Sequence, residues 1–299
     1  MAWVGIDMGG TNTKIGLVDS NGKIIEQRAF STKDFSRPNN WIKRVLLEIK
    51  SFSKKIKGIG IGVPGAVNFS EGKVLYLPNV PGWENVKLSE KLSAGLGVSQ
   101  VKVAVDNDAT VMALAEARVG AGKGFSNVVC VTLGTGVGGG IIIDGRVYRG
   151  SDGVAGEIGH FPLVPWGKDC SCGGKGCLER YVGNSALIGW ARKMKILGPK
   201  EAGLEKVTQL ARQGNKKAIE FWDRVAYTMS PTIVGLVNLL NPELVIIGGG
   251  VANAGKFLLV PLRNYVRRYA MQVQGRRVKI VKAKLGNSAG IIGASFLVR

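Results

Sequence analysis

The sequence predicts an α/β fold built from two related halves. Short apolar strands alternate with helical stretches and glycine turns along the chain. A strand, a glycine turn with a threonine and a returning strand occupy residues 4–19, and the same layout recurs at residues 129–144. The chain has 299 residues, 45% of them hydrophobic, which is enough for one large domain or two of ordinary size.

Five strands and two helices are predicted before residue 120. Apolar runs predict strands at residues 3–7, 14–19, 23–30, 57–63 and 101–105. A turn at Ser20-Asn21-Gly22 joins the second to the third, and Pro64-Gly65 ends the fourth. A helix from about residue 40 is expected to bury Val45, Ile49, Phe52 and Ile56. Asp106-Asn107 caps a second helix, predicted from residue 108 to about 119.

The second half repeats the strand-turn-strand unit and adds longer helices. The unit begins at Val128. A long helical region is predicted at residues 215–240, followed by a strand at 244–247. A final helix is expected after Gly286.

The net charge of +20 suggests anionic ligands. The densest basic stretch, residues 263–284, has eight Lys/Arg and no acid. A nucleic-acid surface is one interpretation, because clustered cations bind phosphates. The sequence has no helix-turn-helix before the first strand, no aromatic-basic RNA motif and no basic tail. We therefore favour a solvated face of a helix and a strand, with no nucleic-acid partner.

The location is predicted to be cytoplasmic. The N-terminus has no signal-peptide core, and the most hydrophobic stretch, residues 233–251, is interrupted by Asn238, Asn241, Pro242 and Glu243. We expect no membrane partner. Four cysteines, three of them in one cluster, indicate a reducing compartment and no disulfide framework.

A candidate metal site lies in the segment GEIGHFPLVPWGKDCSCGGKGCLE, residues 156–179. His160 is the only histidine, and Cys170, Cys172 and Cys177 follow within the segment. Together they form the Cys₃His ligand set of a closed structural zinc site. The C-x-C spacing is unusual for zinc, so free thiols beside an unrelated histidine remain the alternative. Glu157 and Glu179 flank the four residues and are suited to holding a polar substrate.

Three glycine clusters at strand ends indicate a nucleotide site. Two are the turns of the repeated units, and the third, Gly248-Gly249-Gly250, follows a predicted strand. Glycine lets backbone N–H groups approach phosphate oxygens, and successive amides form an anion nest. The third cluster leaves space for a flat adenosine. Each turn alone would be weak evidence, because glycine hairpins are mostly structural.

Several motifs resemble those of the sugar kinases of the ROK family, the repressor and kinase group. They are DMGGTNTK, VDNDAT, LGTGVGGG, GEIGH, CSCGGKGCLE and LVIIGGGVA, and the resemblance ends with LGNSAGIIGA at residues 285–294. It implies an actin-like fold similar to hexokinase, with two lobes and an interdomain cleft where ATP and sugar meet. The expected small lobe is residues 1–118 plus 287–299, and the large lobe is residues 119–286. The resemblance also implies one structural zinc per chain at the Cys₃His set.

The resemblance implies roles for the motif residues expected around ATP. Asp108 matches the catalytic base, and we expect the helix N-terminus to keep it ionised at neutral pH; a simple capping aspartate is the alternative. Asp7 is expected to bind Mg²⁺ through water, or else to be an ordinary turn acid. The expected phosphate and nucleotide contacts are Gly9, Gly10, Thr11, Asn12, Gly134, Thr135, Gly136, Gly248, Gly249 and Gly250.

The sugar is expected to lie between both lobes. Asn107, Asp108, Glu157, His160 and Glu179 match the family's sugar contacts, and Gly65 and Asn79 are further candidates. His160 would use one ring nitrogen on zinc and the other on the sugar. The metal should then order the sugar site alone and leave the phosphate turns unaffected.

The predicted function is ATP-dependent phosphorylation of a hexose, glucose in particular, at the 6-hydroxyl. An N-acetylmannosamine or N-acetylglucosamine kinase, or a broad-specificity hexokinase, is the main alternative. A sugar-sensing repressor would need a winged helix before the first strand, which starts at Trp3. The basic charge also leaves polyphosphate open as the donor. A homodimer or homotetramer is expected from the family.

Overall fold

The computed structural model describes residues 2–78, 80–97 and 101–299. Its strands in the first half are β1 (Ala2–Met8), β2 (Asn12–Val18), β3 (Ile24–Ser31), β4 (Ile56–Val63), β5 (Ala66–Asn68), β6 (Lys73–Tyr76) and β7 (Lys102–Asn107). Those in the second half are β8 (Val128–Leu133), β9 (Val137–Ile143), β10 (Arg146–Tyr148), β11 (Leu244–Gly248) and β12 (Lys279–Lys282).

The helices pack against these strands. They are α1 (Pro38–Lys50), α2 (Leu88–Leu96), α3 (Asp108–Val119), α4 (Glu179–Val182), α5 (Asn184–Lys193), α6 (Leu204–Arg212), α7 (Lys216–Leu240), α8 (Lys256–Tyr269), α9 (Gln272–Arg277) and α10 (Ala289–Phe296). Among the described residues, no helix has both the length and the apolar character that crossing a membrane requires.

Two five-stranded sheets share one topology, which confirms the predicted duplication. The first has the order β3-β2-β1-β4-β7, and the second has β10-β9-β8-β11-β12. In each sheet, three consecutive strands pair antiparallel: β1, β2 and β3 in the first, and β8, β9 and β10 in the second. The other two strands of each sheet run parallel to its central strand, which is β1 in the first sheet and β8 in the second. A small hairpin, β5 and β6, lies outside both sheets.

The central strands are buried on both faces, as their continuous apolar sequences require. Val4 and Ile6 of β1 and Ile59 and Ile61 of β4 have no exposed surface. Helix α10 covers one face of this sheet and also packs against α3. The contact is close, because a Cβ on Gly5 would lie 1.8 Å from the backbone oxygen of Ile291. Sheet, α3 and α10 therefore form one packed unit.

Helix α1 differs from the predicted helix at both ends. It begins at Pro38, which suits the first helical position because its fixed φ is helical and it has no N–H to satisfy. It ends at Lys50, so the prediction that Phe52 and Ile56 belong to its buried stripe is wrong. Trp41 joins Val45 and Ile49 in the stripe instead, and Ile56 begins β4. The exact lobe boundaries remain a prediction.

Candidate active site

Asn107 and Asp108 lie where β7 passes directly into α3. The side-chain oxygen of Asn107 accepts hydrogen bonds from the backbone N–H groups of Ala109 at 2.9 Å and Thr110 at 3.2 Å. Its amide nitrogen donates to the backbone oxygen of Gly65 at 3.0 Å. Asn107 therefore caps α3, as predicted, and holds the loop after β4 beside Asp108.

Asp108 has one carboxylate oxygen committed to the helix. Oδ1 accepts from the N–H of Ala109 at 2.7 Å. Burial raises the pKa of Asp108 to about 7, the nearby acids Asp7 and Glu157 raise it as well, and the N–H of Ala109 opposes them. The expectation that the helix N-terminus keeps this group ionised at neutral pH holds only in part, because desolvation and like charges outweigh one N–H dipole and leave the carboxyl partly protonated there. A pKa near the working pH suits a general base.

This pKa predicts an acid limb in the activity profile. In the role of base that the resemblance implies, Asp108 acts as the unprotonated carboxylate, so kcat/KM for the sugar should rise as pH increases towards about 7 and level off above it. Below that value, the rate should fall about tenfold per pH unit. Initial rates between pH 5.5 and 9 at saturating Mg-ATP would measure the profile. A rate that stays constant down to pH 5.5 would contradict the assignment.

Asp7 lies near the end of β1 and faces the same site. It pairs across the sheet with Lys14 of β2. Burial raises the pKa of Asp7, and Lys14 lowers it. Helix α10 passes directly over the carboxyl, since a Cβ on Gly290 would lie 2.4 Å from Asp7 Cγ. Asp7, Asp108 and Glu157 thus bring three acids to one place, an arrangement that a divalent cation would stabilise.

The two repeated turns occupy equivalent places in the two halves. In the first turn, Gly9 N–H donates to Asn12 O at 3.0 Å, and Thr32 Oγ1 donates to Gly9 O at 2.8 Å. Gly10, Thr11 and Asn12 are exposed. In the second, Gly134 N–H donates to Gly136 O at 2.9 Å, with Thr135 exposed at the tip.

The third glycine cluster lies beside the second turn. Gly248 pairs with Thr132 at the ends of β11 and β8. Gly249 has a φ of +79°, and a Cβ there would lie 2.1 Å from Leu133 O. Gly249 and Gly250 are exposed. The structure therefore brings residues 248–250 to the same sheet edge as residues 134–136.

Glu179, at the start of α4, contacts the second turn. Its Oε2 accepts a hydrogen bond from the N–H of Val137 at 2.9 Å, and Asn184 N–H donates to Gly134 O at 2.9 Å. Cys177 precedes Glu179 by two residues. Glu179 therefore links the metal loop to a predicted phosphate turn, and the expectation that the metal orders the sugar site alone stays a prediction.

His160, Cys170, Cys172 and Cys177 come together in space. Their ligand atoms all lie within 4.8 Å of one another. Cys170 Sγ is 3.6 Å from His160 Nδ1, and Cys172 Sγ is 3.7 Å from Cys177 Sγ. A tetrahedral zinc with Zn–S bonds of about 2.3 Å separates two sulfurs by about 3.8 Å. Donor types and spacing both fit zinc, which the alternative of unrelated thiols does not explain.

The other nitrogen of His160 faces the predicted sugar site. Nε2 lies 3.9 Å from Glu157 Oε2, whereas Nδ1 faces Cys170. A metal on Nδ1 would therefore fix the ring with Nε2 directed at Glu157. A small pocket beside Glu157 is lined by Gly65, Ala66, Val67, Asn107, Asp108, Ala109, Gly138, Gly139, Gly153, Val154, Ala155, Gly156 and Glu157. Asn79 lies outside the described residues.

Sequence reasoning missed an ion pair beneath the site. Asp106 is 1% exposed, and its Oδ2 accepts from Arg149 Nε at 2.9 Å and pairs with a terminal guanidinium nitrogen at 2.8 Å. Oδ1 accepts from the N–H of Asn107 at 2.9 Å. Arg149 also lies over the ring of Phe69, 3.7 Å from its centroid. The pair joins the residue before Asn107 to the segment that leads to Glu157, and only an acid directly before N-D hinted at it.

Arg149→Met should therefore destabilise the fold. It leaves the buried Asp106 carboxylate without its cation, which costs about 3 kcal/mol in the free energy of unfolding. Urea unfolding would measure the loss. Arg224→Met is the matched control, since its partner Glu220 is exposed and the change should stay within about 0.5 kcal/mol. Equal effects of the two substitutions would contradict the role of the buried pair.

Comparisons with known proteins agree with this geometry. The ROK family model matches residues 3–299. The chain is 35% identical over 310 residues to a glucokinase of Thermotoga maritima, covering 99% of this chain and 96% of that protein. It is 30% identical over 307 residues to an N-acetyl-D-glucosamine kinase of Yersinia enterocolitica, and the match covers 99% of this chain and 98% of that protein.

A crystal structure shows the same architecture. A ROK family glucokinase from Streptomyces griseus, in complex with glucose and AMPPNP, aligns with a TM-score of 0.84 and 33% identity over 99% of each chain. The predicted resemblance and the actin-like fold with two lobes are thereby confirmed. With a family model that matches nearly its whole length and relatives of this similarity, the chain belongs to the ROK family.

Proposed function

We propose that this protein transfers the γ-phosphoryl group of Mg-ATP to the 6-hydroxyl of glucose. The broader activity, ATP-dependent phosphorylation of a hexose, is supported by the glucokinase relatives. The observation that carries the proposal is the position of Asp108, a half-buried carboxyl with a pKa of about 7 that lines a polar pocket. A sugar hydroxyl is a weak nucleophile and needs such a proton acceptor.

The two carboxylate oxygens of Asp108 differ in how free they are to accept the proton. Oδ1 already accepts the N–H of Ala109, which leaves Oδ2 for the sugar hydroxyl. Transfer passes through a loose transition state, in which alignment and charge stabilisation matter more than base strength. Backbone N–H groups of the turns at residues 9–12 and 134–136 would bind the phosphates, and residues 248–250 the adenosine.

The sugar would be held by groups that surround Asp108. Asn107, Glu157, His160 and Glu179 offer amide, imidazole and carboxylate partners for a ring of hydroxyl groups, and Gly65 lines the same pocket as Asn107 and Glu157. A substrate that leaves these polar groups unpaired would be rejected. This polar lining supports a sugar as the substrate class.

Two metals have separate places in the proposal. Mg²⁺ bound with ATP would neutralise phosphate charge, and Asp7 would hold it through water. Zinc would be held by His160 and the three cysteines, where its role is to fix the loop and the ring of His160.

A coupled ADP-release assay over a panel of sugars tests the substrate. Glucose should give the highest kcat/KM, above mannose, fructose, allose, N-acetylglucosamine and N-acetylmannosamine. A higher kcat/KM for either N-acyl sugar would overturn the assignment of glucose as the substrate but not the proposed kinase activity. Inactivity with every sugar would overturn the kinase. Glucose 6-phosphate formation with polyphosphate in place of ATP, measured in parallel, would identify the donor.

A further inference from the structure

The chain crosses between the two sheets twice. It leaves the first sheet through α3 and residues 120–127, which lead to β8. It returns from β12 through residues 283–288 to α10, which packs on β1, β4 and α3. Motion of one half relative to the other must bend these two connections. They therefore form the covalent hinge of the molecule.

One buried carboxylate contacts both connections. Glu116, in the last turn of α3, is 1% exposed. Its Oε2 accepts from the N–H of Ala121 at 2.7 Å. Its Oε1 accepts from the N–H groups of Lys284 at 2.9 Å and Leu285 at 2.7 Å. These partners are far apart in sequence, so Glu116 joins the outgoing connection to the returning one.

The place is an unfavourable one for a negative charge. Among residues 2–78, 80–97 and 101–299, no Lys, Arg or His nitrogen lies within 4.0 Å of the Glu116 carboxylate. The C-terminal end of a helix also repels anions. Three N–H donors, aimed at both oxygens, compensate for the desolvation of the charge.

The chain around Glu116 is built to let the outgoing connection pass close to the carboxylate. A Cβ on Gly120 would lie 2.1 Å from Glu116 Oε2. The N–H groups of Gly120 and Gly122 also donate to the backbone oxygen of Glu116, at 3.1 and 2.8 Å. The carboxylate and the backbone of Glu116 together fix the position of the outgoing connection.

We propose that Glu116 is a positioning residue that sets the hinge between the two halves and so aligns the reacting groups. The inference rests on the proposed kinase activity. Helix α3 carries Asp108 at its first residue and Glu116 eight residues later, about 12 Å along the axis. Asp108 directly follows β7 of the first sheet, whereas the turn at residues 134–136 joins β8 to β9 of the second. A hinge held at both connections keeps the distance between them reproducible during transfer.

Glu116→Gln tests the proposal with little change of shape. The amide keeps one acceptor oxygen, so one of the two connections loses its partner. We expect kcat with glucose to fall about tenfold, with KM for glucose and for ATP within about twofold, since misalignment acts on the transition state. Hydrogen exchange of the ligand-free protein should become faster in residues 119–125 or 283–288.

Glu243→Gln is the matched control. Glu243 is exposed and accepts two backbone N–H groups through one carboxylate oxygen, those of Ser126 and Asn127 at 2.8 Å each. Both belong to the outgoing connection, so Glu243 does not join it to the returning one. It should keep wild-type kcat. Glu116→Asp, which is too short to reach both sides, should also lower kcat and replaces the glutamine variant if that one does not fold.

The outcomes separate the two proposals. A wild-type protein that phosphorylates no sugar would overturn the kinase, and unchanged hydrogen exchange in the Glu116 variants would then overturn the hinge role independently. With an active wild type, unchanged kcat in the folded Glu116 variants would overturn the hinge proposal. Equal losses of kcat in the Glu116 and Glu243 variants would overturn it too. A loss of kcat confined to the Glu116 variants would support it.

Discussion

Asp108→Asn is expected to lower kcat by at least about 100-fold, which is the lower end of the range for removing a general base. The amide retains the shape of the side chain and an acceptor for the N–H of Ala109, but it takes no proton from the sugar. Glucose affinity should therefore stay within a few fold. Steady-state kinetics and a glucose titration would separate the two effects.

The same substitution should stabilise the protein. The pKa of Asp108 is about 7 in the folded state, against an ordinary value of 3.8. Between pH 3.8 and about 7, Asp108 is deprotonated in the unfolded chain but still protonated in the folded protein. The free energy of unfolding of the wild type therefore falls as pH rises through this range and levels off above about 7. The amide variant does not titrate. The free energy of unfolding of the variant should therefore exceed that of the wild type by an amount that grows between pH 3.8 and 7, by about 1.4 kcal/mol per pH unit at most.

Urea unfolding at pH 5 and pH 8, without Mg²⁺ or nucleotide, would measure that difference. Asp19→Asn is a suitable control, since Asp19 accepts two N–H groups in the turn between β2 and β3, away from the cleft. It should keep wild-type kcat. Near-normal turnover in a folded Asp108→Asn variant would remove Asp108 from the mechanism.

Loss of the metal is expected to weaken the sugar site most. Cys172→Ala removes an exposed ligand and leaves three, which should release zinc and free both the loop and the ring of His160. The Kd for glucose should rise by at least about tenfold, in the range seen when support of a metal-bound histidine is lost. The Kd for an ATP analogue should rise less, through the contact between Glu179 and Val137.

Metal analysis and separate titrations of glucose and the analogue would measure these effects. Cys130→Ala is the control, because Cys130 is buried in β8 and is not one of the four clustered residues. It should retain the metal and glucose affinity. Wild-type protein that contains no zinc, or a zinc-free variant with unchanged glucose affinity, would contradict the role assigned to the cluster.

The repeated units were predictable because their signal is local. Each combines an apolar strand, a glycine turn and a returning strand within 16 residues, and these became β1–β2 and β8–β9. The end of α1 was not predictable in this way, because Phe52 and Ile56 continue the helical spacing of apolar residues beyond Lys50, where the helix ends. Phe52 is buried without being helical, so tertiary packing replaces the helix there. The spacing alone does not distinguish the two.

The candidate site was predictable in its residues and less so in its contacts. The motifs identified Asn107, Asp108, His160 and the three clustered cysteines. In the structure Asn107 and Asp108 lie together at the start of α3, and His160 lies with the cysteines. The contact of Glu179 with Val137 spans 42 residues, and that of Arg149 with Asp106 spans 43. No sequence pattern encodes such pairs. The raised pKa of Asp108 likewise depends on burial and on two acids from other segments, which a capping motif does not reveal.

The central claim is that Asp108 accepts the proton of the 6-hydroxyl while a metal-fixed His160 holds the sugar. A crystal structure with glucose, Mg²⁺ and a non-hydrolysable ATP analogue would test it most directly. We predict the 6-hydroxyl oxygen within about 3 Å of Asp108 Oδ2, in line with the γ-phosphorus. We also predict His160 Nδ1 on a zinc ion and Nε2 on a sugar hydroxyl. A sugar bound with its 6-hydroxyl away from Asp108, or a His160 ring that touches neither metal nor sugar, would contradict the account.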